Sequence, residues 1–367
     1  MSKISHEHYL LMALAEAKQR RGFCAPNPAV GAVVVKDGIV LAMGFHWAAG
    51  FAHAEVDALN KLSLEESCGA TVYVTLEPCC HQGRTPPCTQ LLIERKVAAV
   101  YYGYQDPNPL VASQGEQQLR MAGIFCQHLP VQEINAFYQS YDYWTRTKLP
   151  FVTAKLALSL DGKIAGAHGQ PVSITGLEAQ KFTHQGRRNS DAILTTSNTI
   201  IHDDPQLNVR IKPQPEAKPV YILDTHLKLP LSAKILTTAV SVTVFHQSEI
   251  DSQRLLALEA CGVRCVPIPT KNAKLPLVAI LRQIGADGVH DLWVEAGGIC
   301  FQALLAEDLI HRAYIYIGLK WLGESAQAAF LGQINLMQSA TKVAWRALGS
   351  DGLCELEFVG SSLKHSL

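Results

Sequence analysis

No run in this 367-residue chain approaches the ~20 consecutive apolar residues that span a bilayer. The opening residues, Met1-Ser2-Lys3-Ile4-Ser5-His6-Glu7-His8, show neither an apolar signal core nor a cleavage site, so the cytoplasm is the expected compartment. An excess of charge of one sign is missing too. Thirty-two basic residues balance 32 acidic ones, which gives no support to a nucleic-acid or anionic-membrane partner. Charged residues are only 17% of the chain against 48% hydrophobic ones, a balance that argues against disorder and for packed cores. Internal repeats and low-complexity tracts are absent. The length suggests two domains of the usual ~150 residues.

Cysteine, by contrast, is plentiful: ten residues. Without a secretory signal, metal binding or ordinary buried thiols are expected rather than disulfides. Cys24, Cys68, Cys126, Cys300 and Cys354 read as small core hydrophobes. Cys261 and Cys265 are four apart, but no Cys or His pair follows at zinc spacing, so they read as core as well.

His8 to Arg20 has helical periodicity with a basic end, and Pro26-Asn27-Pro28 stops it. Val30–Val35 and Ile39–Met43 flank Lys36-Asp37-Gly38, the signature of a β-hairpin. Helices near His53, after Cys88 and near Gly115 alternate with strands over Thr71–Thr75 and Ala98–Tyr102. That alternation predicts an α/β sandwich around one mixed sheet. The aromatic-rich helical stretch Val131–Lys148 ends before Leu149-Pro150, which places a domain boundary between residues 147 and 148. Further strands are expected at Phe151–Leu158, Ala192–Thr195, Val220–Leu223, Val242–Phe245, Asp291–Glu295 and Ala313–Ile317, making a second α/β domain.

His53-Ala54-Glu55 and the later Pro78-Cys79-Cys80-His81 … Pro87-Cys88 bring together the groups of a hydrolytic zinc site. Three N/S ligands leave a fourth tetrahedral position for water, whose pKa zinc lowers to roughly 7. The Glu55 carboxylate, two residues beyond the His, then suits proton transfer. The pattern matches the H-x-E…P-C-x-x-C nucleobase-deaminase signature except that the second Cys comes late. Cys80 and His81 are rival ligands. Adjacent residues rarely point at one tetrahedral centre, so Cys79 and Cys88 are preferred, and Cys88 gains from starting a helix.

Glu77-Pro78-Cys79 … Gly83-Arg84-Thr85-Pro86-Pro87-Cys88, with eight residues between the ligand thiols, resembles the deaminase half of the bifunctional riboflavin-biosynthesis deaminase/reductase family. Pro26-Asn27-Pro28-Ala29-Val30-Gly31, Gly44-Phe45-His46 and Asp106-Pro107-Asn108-Pro109 extend the resemblance. It implies a cytidine-deaminase-like α/β/α sandwich over residues 1–147, zinc on His53, Cys79 and Cys88, and Glu55 as proton donor and acceptor. Asn27, His46, His81 and Arg84 lie in motif loops suited to substrate. Cys80 departs from a common Ser, and Ala112-Ser113-Gln114-Gly115 is atypical after the Asp-Pro-Asn-Pro run.

In residues 148–367 no Gly-x-Gly-x-x-Gly follows the first strand, so a Rossmann dinucleotide domain is not supported. Glu295-Ala296-Gly297-Gly298 closes a strand and opens a helix whose free N–H groups suit phosphate, and Arg187, Arg188 and Arg210 are candidate phosphate partners. The ordered motifs Lys155–Lys163, Thr199–Arg210 and Val294–Gly298 resemble the reductase half of the same family. That resemblance implies a dihydrofolate-reductase-like α/β domain using NADPH. By position, Ala157, Ser173, Thr199, Asp203, Thr225, Gly297, Gly298, Ile299, Cys300, Phe301, Gln302 and Ala303 correspond to cofactor contacts. Pro171, Arg187, Leu207, Arg210 and Glu295 correspond to substrate contacts. Pro171 and Ser173 depart from a family Ser and Trp, and losing that ring removes stacking area on the order of a kcal/mol.

The implied activity is zinc-dependent deamination of a phosphorylated diaminopyrimidinone followed by NADPH reduction of its ribosyl group to ribityl. The expected partner is this small molecule, with a homodimer as the assembly. A polynucleotide-editing deaminase with a C-terminal nucleic-acid module shares the zinc chemistry but requires a basic surface. A structural zinc protein requires Cys80 or His81 as fourth ligand.

Overall fold

Asp37 and Gly38 both adopt left-handed backbone, φ 53° and 78°, as a two-residue turn between right-twisting strands requires. The hairpin they close is the first of the fold. The computed structural model describes residues 5–81, 86–108, 112–330, 332 and 340–358. Arg84 and Pro109 lie outside them. The chain divides into two compact units, Met1–Lys148 and Leu149–Leu367.

The first unit runs α1 (His6–Lys18), β1 (Gly31–Lys36), β2 (Ile39–Phe45), α2 (Ala54–Leu59), α3 (Leu64–Ser67), β3 (Thr71–Val74), α4 (Cys88–Glu94), β4 (Ala99–Tyr102), α5 (Gln114–Met121), β5 (Phe125–His128) and α6 (Gln132–Thr147). Its five strands form one sheet in the order β2-β1-β3-β4-β5, antiparallel through β3 and parallel beyond. Alternate residues of β1 feed two separate cores. Ala32 and Val34 pack with α2, α4 and α5, whereas Val33 and Val35 pack with α1 and α6. Helices on both faces of a mixed sheet make the expected sandwich. Glycine permits one close approach that matters for the site. A Cβ on Gly44 of β2 would meet Ala54 O and Ala58 N at 2.5 Å, so α2 lies directly on the strand.

The second unit runs β6 (Phe151–Ser159), β7 (Lys163–Ala167), α7 (Leu177–Asn189), β8 (Ala192–Thr196), α8 (Ser197–Asp203), β9 (Pro219–Leu223), α9 (Ile235–Thr238), β10 (Ser241–Gln247), α10 (Ser252–Ala260), β11 (Arg264–Ile268), α11 (Leu277–Ala286), β12 (Asp291–Glu295), α12 (Gly298–Ala306), β13 (Arg312–Gly318), β14 (Ala326–Ala328), β15 (Ala340–Leu348) and β16 (Asp351–Phe358). Nine strands form a mixed sheet in the order β11-β10-β9-β8-β12-β6-β13-β16-β15. Only β16 is antiparallel to its neighbours. β7 and β14 pair separately. Every strand expected from sequence in this half is present, and β7, β11 and β14–β16 are additional. Two cysteines read as core are exposed, because Cys68 and Cys261 cap the ends of short helices before Gly69 and Gly262. Among the described residues no helix is long and apolar enough to cross a membrane.

Candidate active sites of the two units

His53 is the N-cap of α2, so the seating of that helix on Gly44 fixes where its ring emerges. Its Nδ1 lies 3.3 Å from Cys88 Sγ and 3.4 Å from Cys79 Sγ. The three ligand atoms all lie within 4.8 Å of one another. A tetrahedral centre with Zn–N of about 2.0 Å and Zn–S of about 2.3 Å puts N and S about 3.5 Å apart. The donor set therefore fits zinc in both chemistry and spacing. Cys80 lies outside this group, its Sγ 3.8 Å from Gln114 Oε1.

The Cys79 loop is pinned from below. Buried Glu77 accepts N–H bonds from Ser113 (3.1 Å) and Glu116 (3.4 Å), and Pro78 O would sit 2.1 Å from a Cβ on Gly115. Thr89 N–H donates to Cys79 O at 3.2 Å, and the Thr89 hydroxyl donates to Gln118 Oε1 at 2.6 Å. Cys88 N–H points at Cys79 Sγ, 3.4 Å away, as a helix start can. The Cys88 hydrogen bond and then the His53 bond draw the Cys79 thiol down to about 4, while the Cys79 hydrogen bond and burial push the Cys88 thiol up. A divalent cation brings both to thiolate.

Glu55 occupies the first turn of α2 and is 3% exposed. Burial first, and then the neighbouring Cys79 charge, push its carboxyl up to about 7. It hydrogen-bonds toward Cys88, at the edge of the donor group. His46 is buried beside His53, ring centroids 5.3 Å apart and edge to face. Its Nδ1 is 3.0 Å from Ala52 O and its Nε2 3.2 Å from Asn27 Nδ2. A carbonyl on one side and an amide N–H on the other select the neutral Nδ1–H tautomer, and burial lowers the pKa in the same sense.

In the second unit a Cβ on Gly186 would collide with the Trp293 ring at 2.4 Å, so α7 lies flat against β12. The next residue, Arg187, thereby meets Glu295 with two parallel bonds, Nε–Oε1 at 2.5 Å and Nη2–Oε2 at 2.9 Å. Arg187 Nη1 donates to Asn208 O at 2.9 Å and Trp293 Nε1 to Glu295 Oε1 at 2.8 Å. Burial alone would raise the Glu295 pKa, but Arg187 overrides it and holds the carboxyl at about 2. Lys155, the register partner of Glu295 on β6, is half-buried, and desolvation lowers its pKa against the pull of Glu295.

Two family profiles match this chain: the cytidine and deoxycytidylate deaminase zinc-binding region over residues 3–104, and the RibD C-terminal domain over residues 150–354. Riboflavin biosynthesis protein RibD of Aquifex aeolicus is 38% identical over 343 residues, covering 92% of this chain and 93% of that protein. The Escherichia coli K12 protein of the same name is 38% identical, covering 88% and 89%. The chain belongs to the RibD family. Solved structures agree with this placement. Acinetobacter baumannii RibD superposes with a TM-score of 0.85 at 34% identity, covering 96% of this chain and 99% of that one. A Thermotoga maritima diaminohydroxyphosphoribosylaminopyrimidine deaminase/5-amino-6-(5-phosphoribosylamino)uracil reductase superposes at 0.82 with 30% identity and the same coverage. The protein is thus a bifunctional riboflavin-biosynthesis enzyme with a zinc-binding deaminase domain and an NADP-dependent reductase domain.

Within the RibD reductase unit the sequence-derived contacts separate into several kinds. Gly297 caps α12 without a side-chain hydrogen bond, and a Cβ there would meet nothing within 4 Å. That open helix start fits a dinucleotide phosphate. Gly298 has a different reason to be glycine, since its Cβ would lie 1.5 Å from Ala329 O. Ile299 is exposed, Cys300, Gln302 and Ala303 are half-buried, and Phe301 is core. Leu207 is also core at 2% exposure and holds a left-handed φ of 45°. Thr199 is tied to Thr196, its N–H 3.2 Å from Thr196 Oγ1. Asp203 ends α8 and is exposed, Ala157 is half-buried on β6, and Thr225 accepts from Gln247 N–H through its carbonyl. Pro171 and Ser173 are exposed in the loop before α7. Arg210 is exposed, its Nη1 2.7 Å from Asn208 Oδ1. Lys155 was a motif residue without a role in the sequence reading. Its only sequence signal is a lysine inside an otherwise apolar strand.

Proposed function

We propose that the first unit hydrolyses the amine from the ring of a phosphorylated diaminopyrimidinone and that the second reduces the ribosyl group of the product to ribityl. The observation that supports this most strongly is the pairing of a three-donor N/S₂ site, one position short of a closed shell, with the buried carboxylate of Glu55 at its edge. A structural zinc site needs a fourth protein ligand, and Cys80 lies outside the group.

Zinc, held by His53, Cys79 and Cys88, would supply the Lewis acidity that activates water. Glu55 is assigned to take a proton from the attacking water and deliver it to the ring nitrogen, then to carry the second to the departing amine, so water and substrate become a carbonyl and ammonia. Neutral His46 orients Asn27, whose amide is assigned to hold the pyrimidine edge. In the second unit NADPH would supply hydride to the C1′ carbon of the ribosyl group, while the bond from that carbon to the ring oxygen breaks and the oxygen takes one proton to become a ribityl hydroxyl. Arg187 is engaged with Glu295, so its role is to hold that carboxylate charged and oriented toward the sugar hydroxyls. The phosphate is assigned to Arg210, whose guanidinium is the more accessible. Lys155, half-buried and in register with Glu295, is assigned to polarise the sugar oxygen.

Zero net charge supports a small-molecule substrate over a polynucleotide. Glu55→Gln tests the deaminase assignment. It is expected to keep stoichiometric zinc while ammonia release falls by about 10²–10⁴-fold. Normal ammonia release by that variant would remove Glu55 from the chemistry.

A further inference from the structure

Trp321 follows β13 and is 73% exposed, yet the loop that carries it is held on both sides. On the N-terminal side Lys320 N–H donates to Gly318 O at 2.8 Å, and Lys320 O accepts from Leu160 N–H at 2.8 Å. The Lys320 ammonium donates to Ser173 O. On the C-terminal side the N–H groups of Leu322 and Gly323 donate to the two carboxylate oxygens of Asp161, at 3.1 and 2.8 Å. Asp161 is fixed in turn by the Ser159 hydroxyl, 2.6 Å from Oδ1. An exposed indole on an otherwise pinned loop is preorganised: it loses little freedom when something covers it.

Its surroundings indicate what that is. Gly318 approaches Ile174 so closely that a Cβ would meet Ile174 O at 2.2 Å, and the next contact along is Lys320 to Ser173. The loop 171–174, which has the small Ser173 and no aromatic ring, therefore runs beside the Trp321 loop. On the other side of the Asp161 anchor, Gly162 O accepts from Ala329 N–H at 3.2 Å, and Ala329 O lies against Gly298 at the start of α12. One continuous set of contacts thus connects Trp321 with the open Gly297 end of that helix. Leu160 and Leu319, 57% and 68% exposed, lie on the same two segments.

We propose that Trp321 is a cofactor-binding residue of the reductase unit, packing its indole against one of the two flat rings of the dinucleotide whose phosphate sits at the start of α12. This rests on the reductase reading given above. The ring contact is common to NADPH and NADH, so it contributes affinity without discriminating between them.

The test uses the full-length, zinc-loaded protein and isothermal titration with NADPH and NADH, alongside energy transfer from tryptophan to the reduced nicotinamide. Trp321→Ala is expected to weaken both dinucleotides in the same ratio, by roughly tenfold, and to lower the energy transfer. Trp321→Phe, which keeps a ring, is expected to stay within about threefold of the parent and guards against misfolding of the alanine variant. Adenosine 2′,5′-bisphosphate and reduced nicotinamide mononucleotide, titrated separately, identify which ring is covered. Equal dinucleotide affinity in parent and Trp321→Ala would overturn the proposal while leaving the reductase reading intact. So would a change of sedimentation mass without a change of affinity, which would make the indole a subunit contact. A parent protein that binds neither dinucleotide would instead overturn the reductase reading itself.

Discussion

Each unit buries one glutamate at its candidate site, and the two are tuned in opposite directions. Among the described residues Glu55 has no basic side chain bonded to it. Burial and a neighbouring thiolate raise its pKa to about 7, a value suited to taking and giving protons. Glu295 is also largely enclosed, its side chain 11% exposed, but Arg187 grips both of its oxygens and Trp293 donates to one, so it stays ionised, at about 2. Burial acts identically on both, and the local counter-charge decides the outcome. One carboxyl is built to change protonation state and the other to keep it.

Arg187→Ala breaks this contrast most severely. It leaves Glu295 buried without its counter-charge, the situation that costs about 3–5 kcal/mol. Chemical unfolding of the second unit should show that loss, and reductase activity should fall with it. An unchanged midpoint would mean that the ion pair is not what keeps Glu295 charged. A pH titration sharpens the same contrast without mutation. The folded pKa of Glu295 is depressed below its ordinary 4.5, so its stabilising contribution is complete above that value. It is lost as pH falls toward about 2. Melting followed through Trp293 should therefore decline across that window, and Arg187→Ala should flatten the decline.

Thr89→Val is the smallest perturbation and acts on the other unit. It removes the hydroxyl that bonds Gln118 while keeping the Thr89 N–H bond to the carbonyl of Cys79. A stability loss of about 1 kcal/mol is expected, with zinc affinity weakened roughly tenfold in competition with a chelator. Unchanged zinc affinity would show that the Thr89 hydroxyl does not help to hold the Cys79 loop.

The two sites were unequally legible in the sequence, for a physical reason. His53, Glu55, Cys79 and Cys88 sit at the starts of short helices and in one loop, so donor type and spacing carried most of their arrangement. The Arg187–Glu295 pair joins residues 108 apart on a helix and a strand. Nothing local marks it, and the sequence reading accordingly took the two as separate substrate contacts. Leu207 and Phe301 correspond to contacts by position in a motif, and both residues lie in the core. The strand–helix alternation was visible throughout, whereas β15 and β16, with mostly half-exposed or exposed faces on β15, gave a weaker hydrophobic pattern. Cys68 and Cys261 show the limit of composition, since a helix end can expose a thiol that its residue type would bury.

The central claim is that two independent chemistries reside in the two units. It is tested most directly by following ammonia release and NADPH oxidation in parallel, before and after zinc is removed with a chelator. With the diaminopyrimidinone phosphate as substrate both signals should vanish on chelation, whereas with the already deaminated uracil NADPH oxidation should continue unchanged. Persistent ammonia release without zinc, or failure to oxidise NADPH on the uracil, would contradict the account.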